Sequence, residues 1–288
     1  MSNVKFILLG TAMKIRIVTD TAADCLEQEI ADLGIEVIEL PVTFDDDMES
    51  CRKSDLFWEL LISGKVAHTS QPSPEVFRTL FADAKEKSEA LIYISISSKL
   101  SGTYSNALAI SEQLGYENVY VVDSLNATTA EKMLVLAACR LRDKGSSASE
   151  IVDKLNELKH RVKTYACIDT LKYLARGGRI SRATATIGTL VNIKPLITIT
   201  NGEIENIGKT LGTTFAMNKI LDILKDSEID WDYTPIPIYS FDSKNASSFI
   251  RRANEMDIPL DENHLTPIGA TIGTHIGPGG FGIVFVVK

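Results

Sequence analysis

The stretch EALIYISISSKLSGTYSNALAISEQLGYENVYVVD, Glu89–Asp123, holds the pattern that decides the fold. Two unbroken apolar runs, LIYISIS and NVYVVD, flank TYSNALAISEQLG, whose apolar positions recur at helical spacing. Strands covered on both faces read as continuous apolar runs, because neither face meets water. Strand, helix and strand in succession form a βαβ unit with parallel strands. The alternation extends outward. Upstream, KIRIVT reads as a strand and DCLEQEIADLG as a short helix, with Asp24 as N-cap, Glu27 at the third helical position and Gly34 beyond its end. IEVIELPVTF reads as one strand, SDLFWELLISG as a helix capped by Ser54, and PEVFRTLFADAKEKS as another helix. Downstream, TAEKMLVLAACRLRDKG and ASEIVDKLNELKHRV are helical.

Beyond residue 162 the texture changes. KTYACID is a strand, followed by a Gly-rich break ARGGRIS and a helical patch. In KPLITITNGEIENIG, Asn201-Gly202 sits between two β runs, a strong hairpin signal. A helix around Thr214–Lys225, a strand IPIYSF, a helix ASSFIRRANEM and two last strands complete this half. The sequence therefore predicts an N-terminal α/β domain (13–160) with a mostly parallel sheet and a C-terminal α+β domain (161–288), with a cleft between them. Residues 1–12 read as a leader without structural importance, Met13 being an alternative start: FILLG is shorter than the ~7–15 apolar residues of a signal-peptide core.

Of 288 residues, 44% are hydrophobic and 24% charged, an ordinary globular balance. A net charge of −8 without a basic stripe argues against a nucleic-acid binder. It also gives no long-range field to draw in anions, so an acidic ligand has to be held locally. Cys25, Cys51, Cys139 and Cys167 lack metal or disulfide spacing and read as reduced thiols of a cytoplasmic protein. No metal and no cofactor is expected.

Two strand-to-helix junctions are rich in hydroxyls. HTSQPSPEVF places Thr69 and Ser70 just before a helix opened by Ser73 and Pro74, and SSKLSGTYSNA places Ser101, Gly102 and Thr103 at the start of the next. Helix starts carry unpaired N–H groups and favour anions, and parallel sheets bind ligands at the carboxyl ends of their strands. Near the end of the chain, ATIGTHIGPGGFGIVF sets His275 among glycines that let a loop approach a ligand closely. Serine and threonine at such junctions are commonly mere helix caps. Together, however, these groups match what a carboxylate or phosphate needs from hydroxyls and an imidazole.

At these residues the sequence resembles the DegV family, the fatty-acid-binding proteins that include the FakB-like subunits of bacterial fatty acid kinase. IVTDTAAD, TSQPSPEVF, SSKLSGTYSNA, VVDS, LARGGRIS, IKPLITITNGEI and GTHIGPGGFGIVF follow in the family's order, from Lys14 to Lys288. The resemblance implies one long-chain fatty acid buried between two domains and presented to a separate kinase catalytic subunit. That partner would supply the ATP and magnesium chemistry, and transient contact with the inner membrane surface belongs to the same expectation. Carried onto this chain, the carboxylate ligands are Thr69, Ser70, Ser101 and His275, with Gly102, Arg179, Gly273 and Thr274 behind them. The chain departs from the family at Leu211, where an arginine often reaches the head group and where Lys209 lies two residues earlier. It departs again at Thr21, where serine is usual, and in LNATTAEKM, a bulkier helix start.

Two other classes compete. A serine hydrolase would use Ser101 with His275 and one of Asp123, Asp169 or Asp242, yet KLSGT lacks the G-x-S-x-G elbow. The other is a binder of small acids or lipid signals unconnected with any kinase. Phosphate-loop and dinucleotide fingerprints are absent from the sequence.

Overall fold

The computed structural model describes residues 13–45, 54–180 and 192–288. The expected leader and the helical patch after Arg179–Ile180 lie outside the described residues. In chain order the first half runs β1 (Ile15–Asp20), α1 (Glu27–Leu33), β2 (Ile35–Ile38), β3 (Val42–Phe44), α2 (Ser54–Ile62), β4 (Ala67–Thr69), α3 (Pro74–Glu86), β5 (Ala90–Ser95), α4 (Thr103–Leu114), β6 (Val119–Asp123), α5 (Thr129–Asp143) and α6 (Ala148–Leu158). Strands β2-β1-β5-β6 form a wholly parallel sheet in that order. The β5–α4–β6 unit is the one the apolar runs predicted, and every residue of β5 is buried.

The second half runs β7 (Val162–Cys167), α7 (Lys172–Gly177), β8 (Ile193–Thr200), β9 (Glu203–Leu211), α8 (Thr213–Lys225), β10 (Ile236–Tyr239), α9 (Lys244–Glu255), β11 (Thr266–Pro267), α10 (Ala270–Ile276) and β12 (Phe281–Val286). Its sheet has the order β11-β10-β12-β7-β8-β9, antiparallel except for the β10–β11 pair. The β8–β9 hairpin turns at Asn201 and Gly202, both with positive φ (50° and 87°), as a two-residue hairpin turn demands. The Ser97 hydroxyl donates to the Gly202 carbonyl (2.8 Å) and ties this hairpin to the parallel sheet.

Helix α5 lies between the sheets. Its residues from Thr129 to Val135 are all buried, and the core around it draws Ile17, Ile92 and Val122 from one sheet and Val162, Ile236 and Val284 from the other. On the outer face of the parallel sheet α3 and α4 pack Phe77, Phe81 and Ile110 against Val18, Leu91 and Tyr93. Over the far face of the mixed sheet α8 and α9 pack Ile220, Leu224 and Phe249 against Phe281 and Phe285. Each such side chain contributes about 1.5–3 kcal/mol of burial. The change from parallel to mixed pairing falls at β7, just beyond residue 160, while the core continues through α5 across that point.

Four local expectations are corrected. The run 35–44 is two strands: Leu40 turns inward, its N–H taken by the Thr21 hydroxyl (3.0 Å), and Pro41 has no N–H to continue a ladder. Helix α1 starts at Glu27 instead of after Asp24. Leu26 is its N-cap and Glu29 accepts the Leu26 N–H (2.7 Å), leaving Asp24 to turn into the protein. The break in ARGGRIS begins at Gly178, because Ala175, Arg176 and Gly177 still belong to α7. His275 sits in the last turn of α10 instead of in a loop, with Gly277 closing the helix.

Candidate functional site

The segment after the carboxyl end of β5, Leu40 before β3, the segment after β4, α10 and the inner face of the mixed sheet enclose a cavity of about 430 Å³. Strand β4 ends at Thr69, which pairs with Val42, so Thr69, Ser70 and Gln71 reach the cavity from the end of this antiparallel pair. The Ser70 N–H is held by the Pro41 carbonyl (3.0 Å), and the Asn106 side chain holds the Pro72 carbonyl (3.2 Å). Ser101 and Gly102 enter from the start of α4. Ser101 Oγ lies 2.8 Å from the Thr103 hydroxyl and accepts the Thr103 N–H (3.3 Å), so it also caps that helix. Gly102 is N-cap, and a Cβ on it would meet Gln71 Nε2 at 2.3 Å.

His275 comes from a part of the chain 206 residues away from Thr69, yet its Nε2 lies 2.9 Å from the Thr69 hydroxyl. The imidazole reaches there because Gly177, at the end of α7, has no side chain: a Cβ would stand 2.2 Å from His275 Nδ1. Nδ1 is buried with no partner among the described residues. A buried N–H without an acceptor costs more than an idle lone pair, which assigns the proton to Nε2. Burial, and then the neighbouring Arg179, hold the imidazole down to about 4, so it is neutral at neutral pH. Arg179 lines the same cavity, its Nε donating to the Leu100 carbonyl (3.1 Å) and its Nη1 to the Gly177 carbonyl.

Of the residues expected at the site, Thr69, Ser70, Ser101, Gly102, Arg179 and His275 line the cavity. Gly273 and Thr274 do not. A Cβ on Gly273 would stand 2.8 Å from the Trp58 ring, and the Thr274 hydroxyl donates back to the Ala270 carbonyl (2.8 Å); both serve the packing and turn of α10. Leu211 is 65% exposed on β9 and is not a lining residue, so Arg179 is the cation at the cavity among the described residues. Gln71 and Gly177 were not anticipated. Gln71 lies inside the TSQPS run and was legible there, whereas nothing local marks Gly177 as the neighbour of a histidine 98 positions later.

Behind the polar groups the walls are mostly hydrocarbon, with Leu40, Ile96, Leu100 and Ile272 on one side and Ala166, Ile197, Ile199, Ile204 and Ile238 on the other, interrupted by Thr128, Thr164, Thr198 and Thr271. Cys167 also lines the cavity, but burial pushes its thiol up to about 12, which leaves it a small apolar residue. Among the described residues no group of three or more His, Cys, Asp or Glu side chains is placed to hold a metal, and no helix is long and apolar enough to cross a membrane. A hydrolase triad is not assembled. Asp123 accepts the Ser98 and Leu125 N–H groups (both 3.0 Å), Asp169 pairs with Lys194 (2.6 Å) and Asp242 accepts the Lys244 N–H (2.8 Å). Ser101 is engaged by Thr103, and Thr69 takes the imidazole.

A largely apolar cavity with neutral donors and one guanidinium among its lining, set between the mixed sheet and the loops at the end of the parallel sheet, has the chemistry to hold an amphiphile with an acidic or polar head. The family model described as "Uncharacterised protein, DegV family" matches residues 14–288, and the chain belongs to the DegV family. It is 34% identical over 280 residues to a DegV domain-containing protein of Caldanaerobacter subterraneus, covering 96% of this chain and 99% of that one. Among solved structures it is similar to a DegV family protein of Thermus thermophilus described for its fatty acid binding (TM-score 0.83, 28% identity, 96% of this chain and 100% of that one). It is also similar to DegV of Bacillus subtilis, described as a fatty acid binding protein (TM-score 0.81, 29% identity, 96% and 100%).

Proposed function

We propose that this protein binds one long-chain fatty acid and presents its carboxylate to a separate ATP-dependent fatty acid kinase. The observation that carries the reading is the convergence of Thr69, Ser70, Ser101, Arg179 and His275 on a cavity whose remaining walls are mostly aliphatic. Relatives named for fatty acid binding share the whole fold. A sixteen-carbon tail brings about 14 methylenes at ~0.8 kcal/mol each, so the tail supplies affinity and the head supplies orientation.

The His275 Nε2–H donates to Thr69, which frees the Thr69 O–H to point at a carboxylate oxygen. Ser101 offers a second hydroxyl and Arg179 the charge. Charge-assisted bonds of this kind contribute about 1.5–3 kcal/mol each. A neutral imidazole suits the role, since it orients a hydroxyl without neutralising the carboxylate as an acid would. The chain itself acts as carrier, and acyl-phosphate formation belongs to the partner.

The protein is purified, denatured, extracted with organic solvent and examined by mass spectrometry. A stoichiometric fatty acid in the wild type, reduced in His275→Ala and Ser101→Ala, is the expected result. Wild-type occupancy in both variants would remove the head-group assignment. Acyl-ester turnover blocked by Ser101→Ala would replace the carrier by a hydrolase. Acyl-phosphate formed with a fatty acid kinase catalytic subunit and ATP, absent without this protein, tests the coupling.

A further inference from the structure

The turn after β1, Asp20-Thr21-Ala22-Ala23-Asp24, takes no direct part in the cavity lining, yet its side chains reach four separate parts of the cavity wall. Asp20 accepts the Ile96 N–H (3.1 Å) and the Tyr93 hydroxyl (2.8 Å). Thr21 accepts the Leu40 N–H and lies 3.0 Å from the Thr271 hydroxyl. Asp24 accepts the Thr128 hydroxyl through Oδ2 (2.6 Å) and the Gly269 N–H through Oδ1 (2.9 Å). Leu40, Ile96, Thr128 and Thr271 all line the cavity.

Asp24 holds the most consequential of these walls. Helix α10 spans seven residues, carries His275 in its last turn, and has no side-chain cap of its own at Gly269. A helix so short depends on tertiary contacts for its position. The Asp24 carboxylate takes the Gly269 N–H from 245 residues away and adds a negative charge where the helix start favours one. Its other oxygen fixes Thr128, which keeps a positive φ of 54° immediately before α5. A helix held at its first turn keeps its last turn in register, and the fit between His275, Gly177 and Thr69 tolerates little movement.

We infer that Asp24 is a positioning residue for the fatty-acid head group, bracing the start of α10 against the start of α5 so that His275 meets Thr69. The inference rests on the proposed fatty-acid site for its ligand, while the placement of His275 can be read without one. The Gly269 N–H requires an acceptor oxygen, whereas protonation of Oδ2 reverses the bond with the Thr128 hydroxyl and removes the negative charge at the start of α10. The charged and titratable groups facing it are Lys132 and Glu131 from α5, Asp20 from its own turn and Cys25 beside it. Lys132 is further paired with Glu29 of α1 (3.2 Å), and Glu27 and Glu39 line the groove outside. Burial pushes the Asp24 carboxyl up to about 7, against the opposing pull of Thr128, Gly269 and Lys132. Ionisation of the brace therefore falls in the neutral range.

Asp24→Asn and Asp24→Ala are delipidated, and palmitate affinity is measured by displacement of a fluorescent fatty acid at pH values from about 6 to 8. The imidazole ¹⁵N and ¹H signals of His275, assigned with His275→Ala, are recorded without ligand. The expected result is an affinity loss of about tenfold in either variant at neutral pH, of the size of one broken bond to a charged group. The His275 signals shift in both variants. Wild-type affinity falls as pH drops through about 7, and the variants lack that step, keeping only the change near 6 that belongs to Asp20. Wild-type affinity and unshifted His275 signals in Asp24→Asn overturn the inference, as does an affinity loss that only follows the unfolded fraction. If Asp24→Ala does not fold, Asp24→Asn, nearly the same shape, decides. A wild type that takes up no palmitate overturns the fatty-acid reading, and the ligand-free His275 signals of Asp24→Asn still decide the brace.

Discussion

Replacing Gly177 by alanine tests the head-group site without touching any of its polar groups. A Cβ at this position stands 2.2 Å from His275 Nδ1 and 2.8 Å from Cε1, against an ordinary contact of at least 3.4 Å. The ring must withdraw by more than about 1 Å, which stretches the 2.9 Å contact between Nε2 and Thr69 beyond hydrogen-bonding range. The lost bond is worth about 0.5–1.5 kcal/mol, and the Thr69 hydroxyl, no longer oriented, gives up part of a charge-assisted bond of about 1.5–3 kcal/mol. A combined loss of about 2–3 kcal/mol raises Kd roughly 30- to 150-fold. Stability also falls: displacing a buried ring costs about 1–3 kcal/mol, which the roughly 0.5–1 kcal/mol preference for alanine over glycine within a helix only partly offsets. Gly178 is the control. Its φ is +72° with nothing within 4 Å, so Gly178→Ala strains the left-handed helix end by about 1–2 kcal/mol and leaves His275 alone. Displacement of a fluorescent fatty acid from delipidated protein, with thermal denaturation alongside, reads both effects. Both variants should lose some Tm, but only Gly177→Ala should lose affinity, while Gly178→Ala keeps it. Equal affinity losses in the two, or none in Gly177→Ala, would refute the reasoning.

Two further outcomes follow from the core. Ala166→Phe puts a ring into the aliphatic part of the cavity from β7, so bound fatty acid should disappear from organic extracts while the fold persists by circular dichroism. Glu131 is buried, and burial holds its carboxyl well above the ordinary range. Thr19 lies within hydrogen-bond distance of both the Ile94 carbonyl (3.0 Å) and Glu131 Oε1 (2.9 Å), and its single proton cannot serve both. A protonated Glu131 donating to Thr19 resolves the pair. The unfolded chain gives up that proton near about pH 4.3 and the folded chain keeps it, so this stabilisation is complete below that pH and is lost as pH rises towards the folded value. Glu131→Gln should raise Tm at neutral pH and flatten its fall with pH, and a slope identical to wild type would count against a protonated Glu131.

The sequence by itself determined the elements and their order. Unbroken apolar runs at β5 and β6 dictated parallel strands covered on both faces, Asn201-Gly202 dictated the β8–β9 hairpin, and two hydroxyl-rich junctions pointed to Thr69, Ser70 and Ser101. These features are local, because propensity, turn chemistry and periodicity act over a few residues. Tertiary structure decided what each junction faces. Asp24 looked like a helix cap because its neighbours in sequence are helical, but its partners Thr128 and Gly269 are more than a hundred residues away and outcompete the local N–H groups. His275 looked like a loop residue among glycines, but it lies in α10, where Gly273 fits against Phe57 and Trp58 and His275 fits over Gly177. A cavity is space shared by segments distant along the chain, and its shape follows from how two sheets pack around α5, which no short stretch of sequence encodes.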